Sequence, residues 1–140
     1  MAEEEKAQKD TILVVEDSAP NRRILTHLIE KLGFDTVACA DGKEAWEAFQ
    51  KGIPNLVTVV SDIMMPNMDG IELLEAVRTS ESDKKDIPFY LCTAVMDKEY
   101  ILKSKQLGVD AYIVKPITFD KLKNKLKSTF PDRKWPRVAA

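Results

Sequence analysis

The sequence holds 140 residues with a formal net charge of −2, 44% hydrophobic and 31% charged. Such a composition belongs to a soluble globular chain with one ordinary core, and its near-neutral charge excludes a global electrostatic pull toward nucleic acid or membranes. No apolar run approaches the roughly 18 residues of a membrane span, and the polar start MAEEEKAQKD has no hydrophobic signal core, so a cytoplasmic location is expected.

In chain order, TILVV (Thr11–Val15) is a continuous apolar run rich in β-branched residues, the pattern of a fully buried strand. APNRRILTHLIEKLGF then shows helical spacing, with Ile24, Leu25, Leu28, Ile29 and Leu32 on one face and Gly33 at the end. DTVACA is a second strand, and DGKEAWEAFQKG a short helix with Ala45, Trp46 and Phe49 inward. NLVTVVSD is a third strand, followed by the helix GIELLEAVRTS with Ile71, Leu74 and Val77 inward. After the polar loop ESDKKD come the strand IPFYLCT, the helix DKEYILKSKQLG, the strand AYIVK and the helix TFDKLKNKLKSTF, with Phe119, Leu122, Leu126 and Phe130 inward. Five βα units in succession imply an α/β fold: a parallel sheet covered on both faces, with right-handed crossovers. No linker divides residues 11–130. Residues 1–10 read as a polar extension, and PDRKWPRVAA, residues 131–140, as a mobile tail outside the domain. Cys39 and Cys92 each lie in an apolar strand and read as small buried hydrophobes, not a disulfide or a metal site.

The strands end in polar residues. Strand one runs into Glu16 and Asp17, strand three into Asp62, strand four into Thr93 and strand five into Lys115. In a parallel sheet these ends share one edge, where ligands of open α/β sheets bind. Three carboxylates, a hydroxyl and an ammonium should therefore converge. The carboxylates cannot all stay ionised together without a cation, and hard oxygen donors suit Mg²⁺. A carboxylate beside that ion is a candidate nucleophile toward phosphorus, with Lys115 and Mg²⁺ neutralising charge on the transferring group and Thr93 hydrogen-bonding one of its oxygens.

The segments VVEDS, SDIMMPNMDG, LCTA and VKP, in this order and spacing, resemble the receiver domains of two-component response regulators, most of all the stand-alone, CheY-like chemotaxis type. The resemblance covers roughly residues 10 to 130 and implies a flavodoxin-like, doubly wound five-stranded sheet of order 2-1-3-4-5. It implies that Asp62 is the phospho-acceptor, that Glu16 and Asp17 hold Mg²⁺ with Asp17 the direct ligand, and that the backbone carbonyl of Met64 is a further ligand. Lys115 would pair with the phosphoryl group and Thr93 would be the switch hydroxyl. Tyr112 would be the aromatic that turns inward when Thr93 shifts, and Lys115–Pro116 a cis peptide. Met64 and Val95 stand where the family varies and where side chains influence water access to the phosphoryl group; both are apolar, so a long-lived phosphoryl group is expected. Ile63 replaces a tryptophan that some members carry.

The implied function is a signalling switch and not an enzyme beyond its own aspartyl phosphorylation and dephosphorylation. A histidine kinase would donate the phosphoryl group. The output would be a protein contact, with a motor switch or a relay histidine protein as target, since only residues 131–140 follow the last helix. The surface of the fourth helix, fifth strand and last helix is the expected docking face. A monomer is expected, with a dimer on phosphorylation as the alternative. A receiver-fold scaffold that is not phosphorylated is the competing reading. A flavodoxin-type redox carrier is disfavoured because EDSAPNRR puts carboxylates where an anionic phosphate would sit. A haloacid-dehalogenase-type hydrolase is disfavoured because position 64 is methionine, not a second aspartate, and the acceptor ends strand three. His27 falls off the apolar face of its helix and reads as a solvated side chain. Asp69–Gly70 reads as a helix start.

Overall fold

The computed structural model describes residues 9–94 and 98–135. Its elements alternate without exception: β1 (Thr11–Val15), α1 (Ala19–Lys31), β2 (Asp35–Cys39), α2 (Gly42–Lys51), β3 (Leu56–Asp62), α3 (Gly70–Arg78), β4 (Phe89–Thr93), α4 (Lys98–Gln106), β5 (Ala111–Val114) and α5 (Phe119–Thr129). The five strands form one parallel sheet in the order β2-β1-β3-β4-β5. The strand order and the flavodoxin-like architecture agree with the expectation.

Helices lie on both faces, so the central strands alternate between two apolar layers. Leu13, Val15, Val59, Phe89 and Leu91 face α2 and α3, whereas Ile12, Val14, Val60, Tyr90 and Ile113 face α1 and α5. β1 and β4 are buried at every position, which is why they read as continuous apolar runs. Each large side chain so buried stabilises the fold by roughly 1.5–3 kcal/mol. Tyr90 carries a hydroxyl into this layer; it is bonded to the Thr129 hydroxyl and donates to the Lys125 carbonyl at 3.0 Å. Burial pushes the phenol up to about 12.

Two expectations need correction. Ile24 is not inward: it is 57% exposed. It lies about 100° round α1 from the buried Leu25, at the margin of the apolar face, and borders a cleft of about 460 Å³ with Leu25, Leu28, Pro116 and Ile117. The segment after α5 is not loose over its first residues either. Arg133 donates to Asp10 at 2.7 Å and to the Gly33 carbonyl at 3.2 Å, and stacks over Phe34. Trp135 packs against the same Phe34 ring. The tail's last residues, 136–140, and the extension's first, 1–8, lie outside the described residues. Among the described residues no helix is long and apolar enough to cross a membrane.

Candidate functional site

β3 carries a carboxylate to the sheet edge because its last residue is Asp62, in register with Cys92 of β4. The chain then has to turn within eight residues to start α3. The Ile63 amide donates to the Asp62 carboxylate at 3.1 Å and the Gly70 amide donates back to the Ile63 carbonyl at 2.8 Å. A Cβ at position 70 would stand 2.2 Å from the Asp62 carbonyl oxygen, so only glycine permits this closure. Asp69 caps α3 in a reciprocal box with Glu72, as its sequence position suggests.

Two further strand ends complete the cluster. Glu16 follows β1, where Ser18 caps α1 and the Ser18 amide donates to the Glu16 carboxylate at 3.1 Å. Arg22 fixes the same corner through the Glu16 carbonyl at 2.8 Å. Lys115 follows β5; its amide extends the ladder to the Thr93 carbonyl at 2.9 Å, and the Lys115–Pro116 bond is cis. Its ammonium reaches Asp62 at 3.0 Å and Glu16 at 3.5 Å. Asp62 is only 8% exposed. The lysine therefore offsets a desolvation cost that an unpaired carboxylate could not bear.

Glu16, Asp17 and Asp62 each offer a carboxylate oxygen, and all three lie within 4.8 Å of one another. Asp17 is the exposed member and the other two are buried. An all-oxygen, anionic donor set with one open side fits a hard divalent cation that keeps waters, as Mg²⁺ does. Burial, joined by the nearby Asp62 charge, raises the Glu16 carboxyl above its ordinary value of 4.5, although the Ser18 amide and Lys115 oppose the rise. Burial pulls Lys115 down, but the hydrogen bond and charge of Asp62 outweigh it, and the ammonium is held above 10.5.

The sign follows for stability. An acid whose folded value is raised contributes most below its unfolded value and loses that contribution as pH rises through the folded one. Ionised Glu16 thus costs stability near neutrality, where a cation should restore it. Mg²⁺ is expected to raise Tm clearly at neutral pH and progressively less as pH falls toward about 4.5, where Glu16 is protonated and no longer binds it. Thermal scans with and without Mg²⁺ across that range check this; an increment independent of pH would contradict it.

Thr93 ends β4 and is buried. It borders a cleft of about 330 Å³ with Asp62, Met64, Ala94, Tyr100 and Lys115. Met64 is 61% exposed at its rim. Tyr112 is set on α4: its hydroxyl is bonded to that of Ser104 and donates to the Ile101 carbonyl at 3.2 Å. Ser104 was not singled out by sequence reasoning, since a lone serine in an amphipathic helix carries no signal. Val95, the second residue invoked for phosphoryl lifetime, lies outside the described residues. Both cysteines are free and buried; burial pushes the Cys39 thiol up to about 11 and raises Cys92 further.

A family model described as the response regulator receiver domain matches residues 12–127. Chemotaxis protein CheY-3 of Vibrio cholerae is 41% identical over 120 residues, which are 85% of this chain and 90% of that protein. A probable transcriptional regulator ycf27 of Porphyridium aerugineum is 38% identical over 121 residues, 86% of this chain. The chain spans only about half the length of that regulator and of its counterpart in Cyanophora paradoxa. Among solved structures, the CheX-CheY-BeF3-Mg²⁺ complex from Borrelia burgdorferi superposes with a TM-score of 0.78 at 29% identity, covering 86% of this chain and 89% of that one.

Proposed function

The chain belongs to the response regulator receiver domain family of two-component signalling, and from that premise we propose that it receives a phosphoryl group on Asp62. The observation that carries the proposal is the buried Asp62 carboxylate, held by Lys115 at 3.0 Å within a cluster of three carboxylates that share a 4.8 Å neighbourhood. A turn residue would need neither the burial nor the lysine.

An Asp62 oxygen attacks the phosphorus of a phosphohistidine on a histidine kinase. The new O–P bond forms as the N–P bond breaks, and the imidazole leaves with the bond's electrons and takes up a proton. Bound Mg²⁺ would supply charge neutralisation for the transferring group, and Glu16, Asp17, Asp62 and the Met64 carbonyl are the groups proposed to hold it. The Lys115 ammonium would neutralise the remaining negative charge on that group. The Thr93 hydroxyl takes a phosphoryl oxygen as acceptor once one arrives, and Tyr112 follows it. Contacts made only in the phosphorylated state then shift the population of a protein-binding surface on α4, β5 and α5. The Mg²⁺ named in the Borrelia complex supports the metal, and the CheY relatives support a protein output such as a motor switch or a relay histidine protein.

Acetyl phosphate with Mg²⁺ is expected to add one phosphoryl mass to the intact wild type, to fail when the metal is chelated, and to fail on Asp62→Asn. A gain that survives Asp62→Asn would place the chemistry elsewhere. No gain from acetyl phosphate or from a phosphorylated kinase would leave the scaffold reading.

A further inference from the structure

The loop between Asp62 and α3 is fastened from outside at two points. The Asn67 side-chain amide donates to the Asp41 carboxylate at 2.7 Å. The Gly42 amide donates to the Met68 carbonyl at 3.1 Å. Asp41 and Gly42 form the first turn of α2, on the far side of β1 from the strand that feeds the loop. The fit is tight: a Cβ at Gly42 would stand 2.3 Å from the Met68 carbonyl oxygen. Asp41 serves two donors at once, taking the Glu44 amide at 2.8 Å on its other oxygen. Those two hydrogen bonds lower its carboxyl from the ordinary value.

Asn67 sits at φ 68°, in the left-handed region. Glycine would be the easiest residue there, and asparagine is tolerated. Asparagine alone combines that conformation with a neutral amide able to donate to Asp41. The stretch it anchors includes Met64, whose side chain points to solvent and whose carbonyl is a proposed metal donor. The loop's inner end is fixed at Ile63, by the Cys92 carbonyl at 3.3 Å and the Asp62 carboxylate. Between that point and Asn67 lie only Met64, Met65 and Pro66.

We propose that Asn67 is a positioning residue: its amide bond to Asp41 holds the loop that follows Asp62 in the shape that places the Met64 carbonyl beside the carboxylate cluster. This rests on the receiver reading for its metal, and extends it to a residue outside the site. Hydrogen-bond partners one layer removed from a metal commonly change its affinity tenfold or more; an exposed pair such as this one should sit below that.

The test compares wild type, Asn67→Gly, which removes the amide without straining the backbone, and the exchange Asp41→Asn with Asn67→Asp. The exchange restores an amide–carboxylate pair at unchanged net charge, and asparagine still caps α2. Two readouts are used: the Mg²⁺ Kd by calorimetry, and hydrogen exchange of the Gly42 and Gly70 amides without metal. Asn67→Gly is expected to raise the Kd about fivefold and to speed exchange at both glycines, and the double exchange to return both toward wild type. An unchanged Kd in Asn67→Gly, or a double exchange no better than it, overturns the proposal. A wild type that binds no Mg²⁺ defeats the receiver reading instead. The exchange rates then decide the latch alone: acceleration in Asn67→Gly and recovery in the double variant sustain it, and unchanged rates overturn it.

Discussion

Lys115→Met is expected to bind Mg²⁺ about tenfold more tightly than the wild type, yet to accept a phosphoryl group from acetyl phosphate about a hundredfold more slowly. The two effects have one cause. The ammonium lies 3.0 Å from Asp62 and 3.5 Å from Glu16, so it competes with any cation for the same two carboxylates. Its removal leaves both buried and unpaired, and a divalent ion becomes their only neutralising partner. Even at an effective dielectric near 20, one positive charge at such range is worth more than the ~1.4 kcal/mol that a tenfold change represents. The rate moves the other way because the proposed transfer loses the fixed positive charge that would neutralise the phosphoryl group. Lys115→Arg keeps the charge and should leave the Mg²⁺ affinity near wild type. Calorimetry and the growth of the phosphorylated mass peak read the two quantities separately. Weaker Mg²⁺ binding by Lys115→Met would show that the lysine organises the carboxylates rather than competing for them.

The cluster was legible in the sequence because its members stand at strand ends. A parallel sheet turns widely spaced positions into one edge, so the sequence alone brings Glu16, Asp17, Asp62, Thr93 and Lys115 together, as the structure does. The order of the strands was not legible from periodicity, since five βα units can wind in several ways; it came from resemblance. What stayed hidden is what depends on side chains meeting across loops. Asn67 reads as a turn residue, and nothing in PNMDG announces a partner at Asp41. Trp135 reads as a loose end because its neighbours are polar, whereas the ring it rests on, Phe34, is contributed from about a hundred residues earlier. Ile24 has correct helical spacing but falls at the margin of the apolar face, one residue from the buried Leu25, and stays exposed. Arg78 gave no signal beyond a cation at a helix C-terminus, a placement that the helix dipole explains by itself.

Arg78 is nevertheless the residue whose loss should cost the fold most among its charged side chains. Its side chain is 12% exposed, and its guanidinium donates to the carbonyls of Lys85 and Ile87 at 2.8 Å, Gly108 at 2.8 Å and Leu107 at 3.2 Å. It also meets Asp110 at 3.2 Å, and Asp110 in turn takes the Phe89 amide at 2.7 Å. One planar group thus closes the end of α3, the approach to β4 and the end of α4 at the sheet edge opposite the carboxylate cluster. The Ile87 and Leu107 carbonyls are partly buried, whereas those of Lys85 and Gly108 stand at the exposed margin. Arg78→Met keeps the apolar stem and removes every donor. At about 1 kcal/mol for each of the two partly buried carbonyls left unsatisfied, Ile87 and Leu107, it should destabilise by ~2 kcal/mol and lower Tm by about 6 °C. Arg78→Lys preserves the charge but offers one nitrogen where the carbonyls are spread around a planar fork, so it should recover less than half of the loss. Asp110→Asn keeps an acceptor for Phe89 and should cost under about 1 kcal/mol, as expected of an ion pair whose carboxylate is exposed to solvent. Denaturant unfolding of the three variants separates the readings. If Arg78→Met costs no more than Asp110→Asn, the pair is an ordinary surface salt bridge; if the ranking is Met, Lys, then Asn, backbone carbonyls and not charge are what the arginine serves.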